Sequence, residues 1–443
     1  MRRLLFISYW VPPRRAIGTV RSSHLLKHLA GCGWDVTVVT ARLDDGDRAS
    51  VPENYVETGY CDLKSVVKRA IGIGRRSTHE ALNVDVPKYG AKRTAIQRVI
   101  FSISSLVSYP DEYVGWLPFV AGTIRGLVAA EKWDAILTSA PPMTVNLAAA
   151  LSHGAVPWIA DLRDLWAESD YSERSALHRL FDDKVERLSL SRTAALVGSS
   201  ELSAARLQRH YPDKPCFAVS TGFDPDEWKG LRFAREPQCT LLYAGNWYRG
   251  QRDPSVLFMA LREILDEGLA SSEELRVDLY APREAWLQDL IARFSLQSIV
   301  HVHGFVERSS VLASERRADR LIVLSWDGAT ADGIVAGKLF EYFGARRPVL
   351  AIGGPPASAV EQLLRETCAG VRCRTVGETK ADVLSALAEH RAGNIRVIAE
   401  AAVNKYTGEH CARRFAEVLN YVVRDSPRAS RSAFTRAGSA SRT

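Results

Sequence analysis

Short apolar runs alternate with segments of helical period along this chain, and they do so in two separate series. Leu4–Ser8 and Trp34–Thr40 read as buried strands on either side of Val20–Ala30, where Val20, Leu25, Leu26 and Leu29 fall at helical spacing. A strand, a helix and a second strand this close together make a right-handed crossover between parallel neighbours. The alternation resumes with strands at Asp134–Ser139, Val156–Asp161, Ala194–Gly198 and Cys216–Ser220 and helices at Thr144–His153, Glu173–Arg192 and Glu201–His210. A second series has strands at Thr240–Ala244, Leu275–Tyr280, Ile299–His303, Leu321–Leu324, Val349–Ile352 and Gly370–Cys373. Helices at Pro254–Asp266, Arg283–Phe294, Val311–Arg317, Ala336–Gly344 and Ala357–Glu366 separate them, and 379–424 reads as further helix. The expected class is therefore α/β, with two Rossmann-like, doubly wound domains.

The boundaries follow from where the pattern lapses. Residues 221–237, rich in Gly, Pro and charge, read as a linker, and 41–110 as a polar insertion of helices and loops outside the core. These readings give an N-terminal domain over 1–222 that carries the insertion, and a C-terminal domain over 223–400. A helix over 401–424 is expected to pack back toward the first domain, followed by a disordered basic tail over 425–443. A chain of 443 residues with 46% hydrophobic and 25% charged residues has material for two full cores. Disorder and a disulfide-stapled miniprotein are excluded.

The net charge of +7 is local. Residues 64–108 hold nine basic and two acidic residues, and 424–443 five arginines and one aspartate, so the remainder is slightly acidic. Beside Lys92, Arg93 and Arg98 runs the apolar stretch Ile96–Val107, which suits an interfacial segment on an anionic membrane surface. No nucleic-acid-binding module accompanies the charge. The seven scattered cysteines form no CxxC, which fits a reduced, cytosolic compartment and no metal site. The apolar run at the N-terminus is too short for a signal segment, and no window of about 20 apolar residues predicts a membrane span.

Four segments after strands carry candidate chemistry, since open α/β sheets bind ligands beyond the carboxyl ends of their strands. Pro12–Gly18 offers a glycine and arginines at a helix start; the bland alternative is an ordinary βα loop. In Trp158–Trp166, Asp161, Arg163 and Asp164 could orient an acceptor hydroxyl or stabilise charge; the alternative is a structural Asp–Arg pair. In Tyr243–Pro254, Gly245 permits close approach while Asn246, Arg249 and Arg252 offer donors to a diphosphate; the alternative is a tight loop with exposed arginines. In Asp332–Val349, Lys338 and Glu341 share a helix face one turn from its start, where a carboxylate could accept from a vicinal diol; the alternative is a surface ion pair.

KLFEYFGARRPVLAIGG resembles the nucleotide-sugar segment of GT4-type retaining glycosyltransferases of the GT-B fold. YWVPPRRAIGTVRSSHLLKHLAGCGWDVTVVT, SAPPMTVNLAAALSHGAVPWIADLRDLW, STGFD at 220–224 and YAGNWYRGQRDP are similar to the same family, in order along the chain. The resemblance implies two domains facing across a cleft and transfer from a nucleoside-diphosphate sugar with retention of configuration, without a metal or other cofactor. The acceptor would be a polysaccharide or a polyprenyl- or other lipid-linked sugar, and the enzyme cytoplasmic or peripheral on the inner membrane face. By position, Glu341 would hold the ribose, while Gly18, Gly245, Asn246 and either Arg249 or Arg252 would face the diphosphate or sugar. Asp161, Arg163 and Asp164 would be catalytic, lining the sugar and acceptor side. Many members carry Glu-x7-Glu; here the first position is Gly333, so the sugar-contacting carboxylate is absent or is supplied by Asp332. A sugar-nucleotide epimerase of the same fold and a non-catalytic assembly protein are the alternatives.

Overall fold

The structure is a computed structural model that describes residues 1–14, 16, 18–43, 51–63, 109–163, 176–325 and 331–425, without the side chains of 176–180, 249, 331 and 425. The membrane-docking segment 64–108, Asp164 and the tail from 426 lie outside the described residues. Two compact units emerge: residues 1–199, 204–219 and from 412 onward, and residues 200–203 with 220–411.

The first unit is built on a seven-stranded parallel sheet, ordered β3-β2-β1-β4-β5-β6-β7. Its strands are β1 (Arg2–Ile7), β2 (Trp34–Ala41), β3 (Tyr55–Thr58), β4 (Ala135–Ala140), β5 (Trp158–Leu162), β6 (Ala195–Gly198) and β7 (Cys216–Ala218). Between them run α1 (Thr19–His28), α2 (Leu117–Ala130), α3 (Thr144–Ser152), α4 (Ala176–Leu190) and α5 (Glu201–His210). All six residues of β4 and all five of β5 are buried, because helices cover both faces of a parallel sheet. Two sequence readings are corrected here. β3 pairs with β2 through Val38–Ala41, so the segment read as an insertion outside the core supplies an edge strand. Residues 117–130, to which no element was assigned, form α2, with proline in its first turn, where a missing N–H costs nothing.

The second unit has a six-stranded parallel sheet, ordered β10-β9-β8-β11-β12-β13. Its strands are β8 (Cys239–Ala244), β9 (Leu275–Tyr280), β10 (Val300–Val302), β11 (Arg320–Ser325), β12 (Val349–Gly353) and β13 (Gly370–Cys373). Its helices are α6 (Ser255–Asp266), α7 (Ala285–Arg293), α8 (Arg308–Arg317), α9 (Gly337–Ala345), α10 (Ala359–Thr367), α11 (Val376–Arg391) and α12 (Glu400–Val403). The segment read as a linker is no free tether. Phe223 and Trp228 are buried in the core beneath α9, and Asp224 caps a short turn over Pro225–Trp228. The return to the first sheet also starts later than 401. Val403 and Tyr406 still pack in the second core, and only from Ala412 does α13 (Gly408–Asp425) join the first unit. There Arg21 lies over the Phe415 ring at 4.8 Å, and Arg2 hydrogen-bonds Asn420. No helix among the described residues is long and apolar enough to cross a membrane.

Candidate functional site

In the second sheet the chain leaves β8 toward β9 on one side, while β11 leads to β12 on the other. The β8/β11 gap is therefore the switch point, where the loops beyond the strand ends part. An open crevice lies there, lined among others by Arg252, Ser325, Ile334, Ala336, Gly354 and Ser358. Gly353 and Gly354 both have positive φ, and a Cβ on Gly353 would lie 2.6 Å from the Ser325 carbonyl, so only glycine fits the rim. Ala336, at the N-cap of α9, offers no side-chain oxygen to the helix start; its carbonyl takes the Leu339 N–H at 2.9 Å, and the N–H groups of Gly337 and Lys338 are left to a ligand or water.

The β8 loop contributes one buried cation. Arg252 is 8% exposed, stacks over the Tyr248 ring at 4.4 Å and interacts with the Tyr243 hydroxyl. Tyr243 in turn stacks on Trp247 at 4.8 Å and donates to the Asn246 carbonyl at 2.9 Å. A Cβ on Gly245 would meet the Tyr243 hydroxyl at 2.9 Å, which explains the glycine. Asn246 is exposed, and its Oδ1 accepts from Tyr248 N at 3.1 Å; it shapes the turn with the oxygen and keeps only its amide N–H groups for a ligand. Arg249 is on the short turn Tyr248–Gly250, with its side chain outside the description, so of the two arginines it is Arg252 that lines the pocket. Asp332 is half-buried in the turn Ala331–Gly333 ahead of α9.

The first turns of α9 carry a charge cluster built round a buried carboxyl pair. Lys338 bonds Glu341 and lies 3.5 Å from Glu315 of α8. Arg308, at the start of α8, donates Nη1 to Glu341 at 2.6 Å, and grips Glu227 with Nε at 2.9 Å and Nη2 at 2.8 Å. The Glu341 side chain is 10% exposed, so this is no surface pair. Burial pushes the Glu341 carboxyl up, but Lys338, Glu315 and Arg308 outweigh it and hold it well below the usual carboxylate range. Glu315, fully buried, is pushed well above that range by burial and by Glu341.

The first unit corrects the proposed catalytic set. Asp161 is 0% exposed in β5 and accepts from Arg21 Nη2 at 2.7 Å, Arg21 Nε at 2.9 Å and Ser139 at 2.9 Å. Arg21, itself 2% exposed, donates its remaining Nη1 to the Val219 carbonyl at 2.8 Å. Asp161 is thus a structural ion pair, and its partner comes from α1 rather than from Arg163. Arg163 donates to the carbonyls of Ala140 (3.2 Å), Pro141 (2.5 Å) and Gly18 (2.6 Å), which fastens the loop after β4 to that after β1. Gly18 has no room for a side chain: a Cβ would lie 2.9 Å from Trp10 Cγ and 3.0 Å from Arg163 Nη1.

Residues 18–220 match the family model described as the glycosyl transferase 4-like domain. Over that range the chain is similar to a glycosyl transferase 4-like domain, and the fold is that of the GT-B glycosyltransferases. Solved structures extend the fold over the whole chain. Sucrose-phosphate synthase from Thermosynechococcus elongatus aligns over 98% of this chain and 100% of its own, with TM-score 0.55 and 14% identity. Anabaena HepE, solved in complex with UDP-glucose, aligns over 95% and 100%, with TM-score 0.58 and 12% identity. A Listeria monocytogenes protein described as a putative UDP-N-acetylglucosamine 2-epimerase aligns over 94% and 95%, with TM-score 0.54 and 12% identity. No curated protein sequence matches the chain.

Within this glycosyltransferase fold, three residues of the site were not singled out from sequence: Arg308, Glu315 and Glu227. Among the described residues, one further cluster has metal-ligand chemistry, the buried trio Cys239, Asp319 and His390. Its groups are already engaged. Asp319 accepts from Thr240 N at 2.9 Å and contacts His390 Nδ1 at 3.2 Å, while the Arg347 guanidinium sits 3.6 Å away and disfavours a cation.

Proposed function

We propose that the protein transfers a sugar from a nucleoside-diphosphate sugar to a polysaccharide or lipid-linked acceptor, with retention of configuration and without a metal. The observation that carries the reading is Glu341, ion-paired to Lys338 and Arg308 one turn into α9, whose N-cap Ala336 lines a switch-point crevice together with Arg252. In this reading Glu341 accepts both hydroxyls of the donor ribose. Arg252 and the first N–H groups of α9 take the diphosphate, whose charge grows as the glycosidic bond breaks. Because Arg308 occupies one Glu341 oxygen, the ribose must exchange with that bond on binding. Asp332 stands in for the missing first glutamate at the transferred sugar. A lipid-linked acceptor would bring the protein to an anionic membrane surface, as the basic segment 64–108 suits.

Purified protein incubated with a panel of nucleotide sugars, with released nucleotide and thermal shift as readouts, tests the assignment. Glu341→Ala is expected to abolish transfer while the fold persists; a folded, fully active variant would remove Glu341 from the site. The epimerase alternative is supported by the Listeria likeness, which is one of fold. Donor incubated without acceptor and followed by NMR separates the two, since only an epimerase alters the sugar under those conditions. A non-catalytic assembly protein would bind no nucleotide in calorimetry.

A further inference from the structure

Glu315 is a fully buried carboxyl in α8, and neither of its oxygens has a hydrogen-bond partner of good geometry. The ammonium of Lys338 lies 3.5 Å away and also bonds Glu341, so two carboxyls flank one cation in a dry setting. Ionising both would leave surplus negative charge in low dielectric. Arg308 decides which one gives way. Its Nη1 reaches Glu341, while Nε and Nη2 are committed to Glu227, so Glu341 has a second cation and takes the charge. Glu315 keeps its proton, as burial and the neighbouring carboxylate both dictate. Tyr342, the other titratable group facing it, is buried on α9 with its hydroxyl oxygen accepting from Ala244 N at 3.0 Å.

A neutral acid has an O–H to give. A carboxylate has about four acceptor positions. Lys338 fills one of those on Glu341, and the neutral Glu315, whose side chain interacts with Glu341, can turn its O–H to fill a second; the two left, once Arg308 lets go, match the two hydroxyls of a vicinal diol. We propose that Glu315 is a positioning residue for nucleotide recognition: its buried carboxylic acid backs Glu341 and sets that carboxylate to receive a ribose diol. The inference rests on the reading of Glu341 as the ribose-binding group.

The test compares a ribonucleoside diphosphate with its 2′-deoxy form by calorimetry, using whichever of UDP, GDP and ADP binds the wild type most tightly. The wild type should favour the ribo form by about tenfold, the worth of a hydrogen bond to a charged group. Glu315→Gln, which keeps an N–H donor at the same place, should retain that preference. Glu315→Leu should bring it close to one while affinity for the deoxy form stays within about threefold. A folded Glu315→Leu that keeps the wild-type preference overturns the proposal. Should the leucine variant not fold, the pH profiles decide. The wild-type preference should decline as Glu315 ionises on raising the pH, whereas that of Glu315→Gln should stay level; parallel profiles overturn the proposal. Glu341→Ala separates the layers. If it erases the preference and Glu315→Leu does not, only the role of Glu315 falls. If the wild type shows no preference, or Glu341→Ala keeps it, the ribose reading falls too.

Discussion

Replacing Asp161 by alanine distinguishes a catalytic carboxylate from a structural one. The side chain is 0% exposed, its two oxygens accept three hydrogen bonds, and its partner Arg21 is 2% exposed with no route to water. The variant would leave a buried guanidinium with only the Val219 carbonyl as a fixed acceptor. Removing one member of a buried pair costs about 3–5 kcal/mol, because the other charge stays desolvated. For a unit of roughly 200 residues this lowers the melting temperature by roughly 6–20 °C, at 2–4 °C per kcal/mol. Differential scanning calorimetry is the assay, with attention to a first transition, since a two-unit chain need not melt in one step. Asp161→Leu combined with Arg21→Met should recover much of the loss, since an apolar pair needs no solvation. Nucleotide binding, which the proposed function assigns to Arg252 and Glu341 of the second unit, should survive below the lowered transition. A variant within about 1 kcal/mol of wild type that has nevertheless lost all turnover would refute the structural reading and return Asp161 to the chemistry.

The remaining predictions concern the second unit. Gly353→Ala must hold a side chain at φ 82° and 2.6 Å from the Ser325 carbonyl; it should cost more than about 1–2 kcal/mol and weaken nucleotide binding, as denaturant melts and calorimetry would show. Arg252→Ala should weaken a nucleoside diphosphate about tenfold or more and leave the free nucleoside unchanged, which competition binding can separate. Glu315 has a pKa raised on folding, so its native form binds the extra proton and stability falls as pH rises from the unfolded carboxylate range through the raised value. Glu315→Gln titrates no proton there, so its stability relative to wild type should climb over that window and then level off. Denaturant melts at a series of pH values measure the difference; a constant difference would mean that Glu315 ionises at its ordinary pH.

Much of the fold was legible because parallel strands buried on both faces leave continuous apolar runs. Edge strands do not, since only one side pairs, and β3, with Tyr55, Val56 and Glu57 half-exposed, was read as insertion for that reason. The sequence did single out Arg252, which lines the pocket after β8, and Glu341, whose side chain is 10% exposed beside Lys338. It was misread where residue type was taken for position. Asp161 and Arg163 are two apart on the chain, so they looked like a functional pair. Asp161, however, points from its strand to Arg21 on α1, and Arg163, just past the strand end, turns to loop carbonyls. Arg308 was missed through an element boundary: the helix was placed at Val311–Arg317, but it begins three residues earlier.

The Lys338–Glu341 spacing shows why the rest could not be read from pattern alone. Two residues three apart on a helix usually make an exposed pair worth a few tenths of a kcal/mol. Here the neighbours change what the pair is. Glu315 arrives from another helix, Arg308 from the start of that helix, and Glu227 from the segment following the crossover at 220. Each is an ordinary surface residue type in the sequence, and only packing turns them into one cluster, buried at Glu315 and open to solvent at Arg308 and Glu227. The cluster then fixes a division of charge that no single residue could have: one carboxylate held ionised, one carboxyl held neutral, a cation between them. In the proposed function that division suits Glu341 to a donor of paired hydroxyls rather than to a cation, because the carboxylate already has its cations.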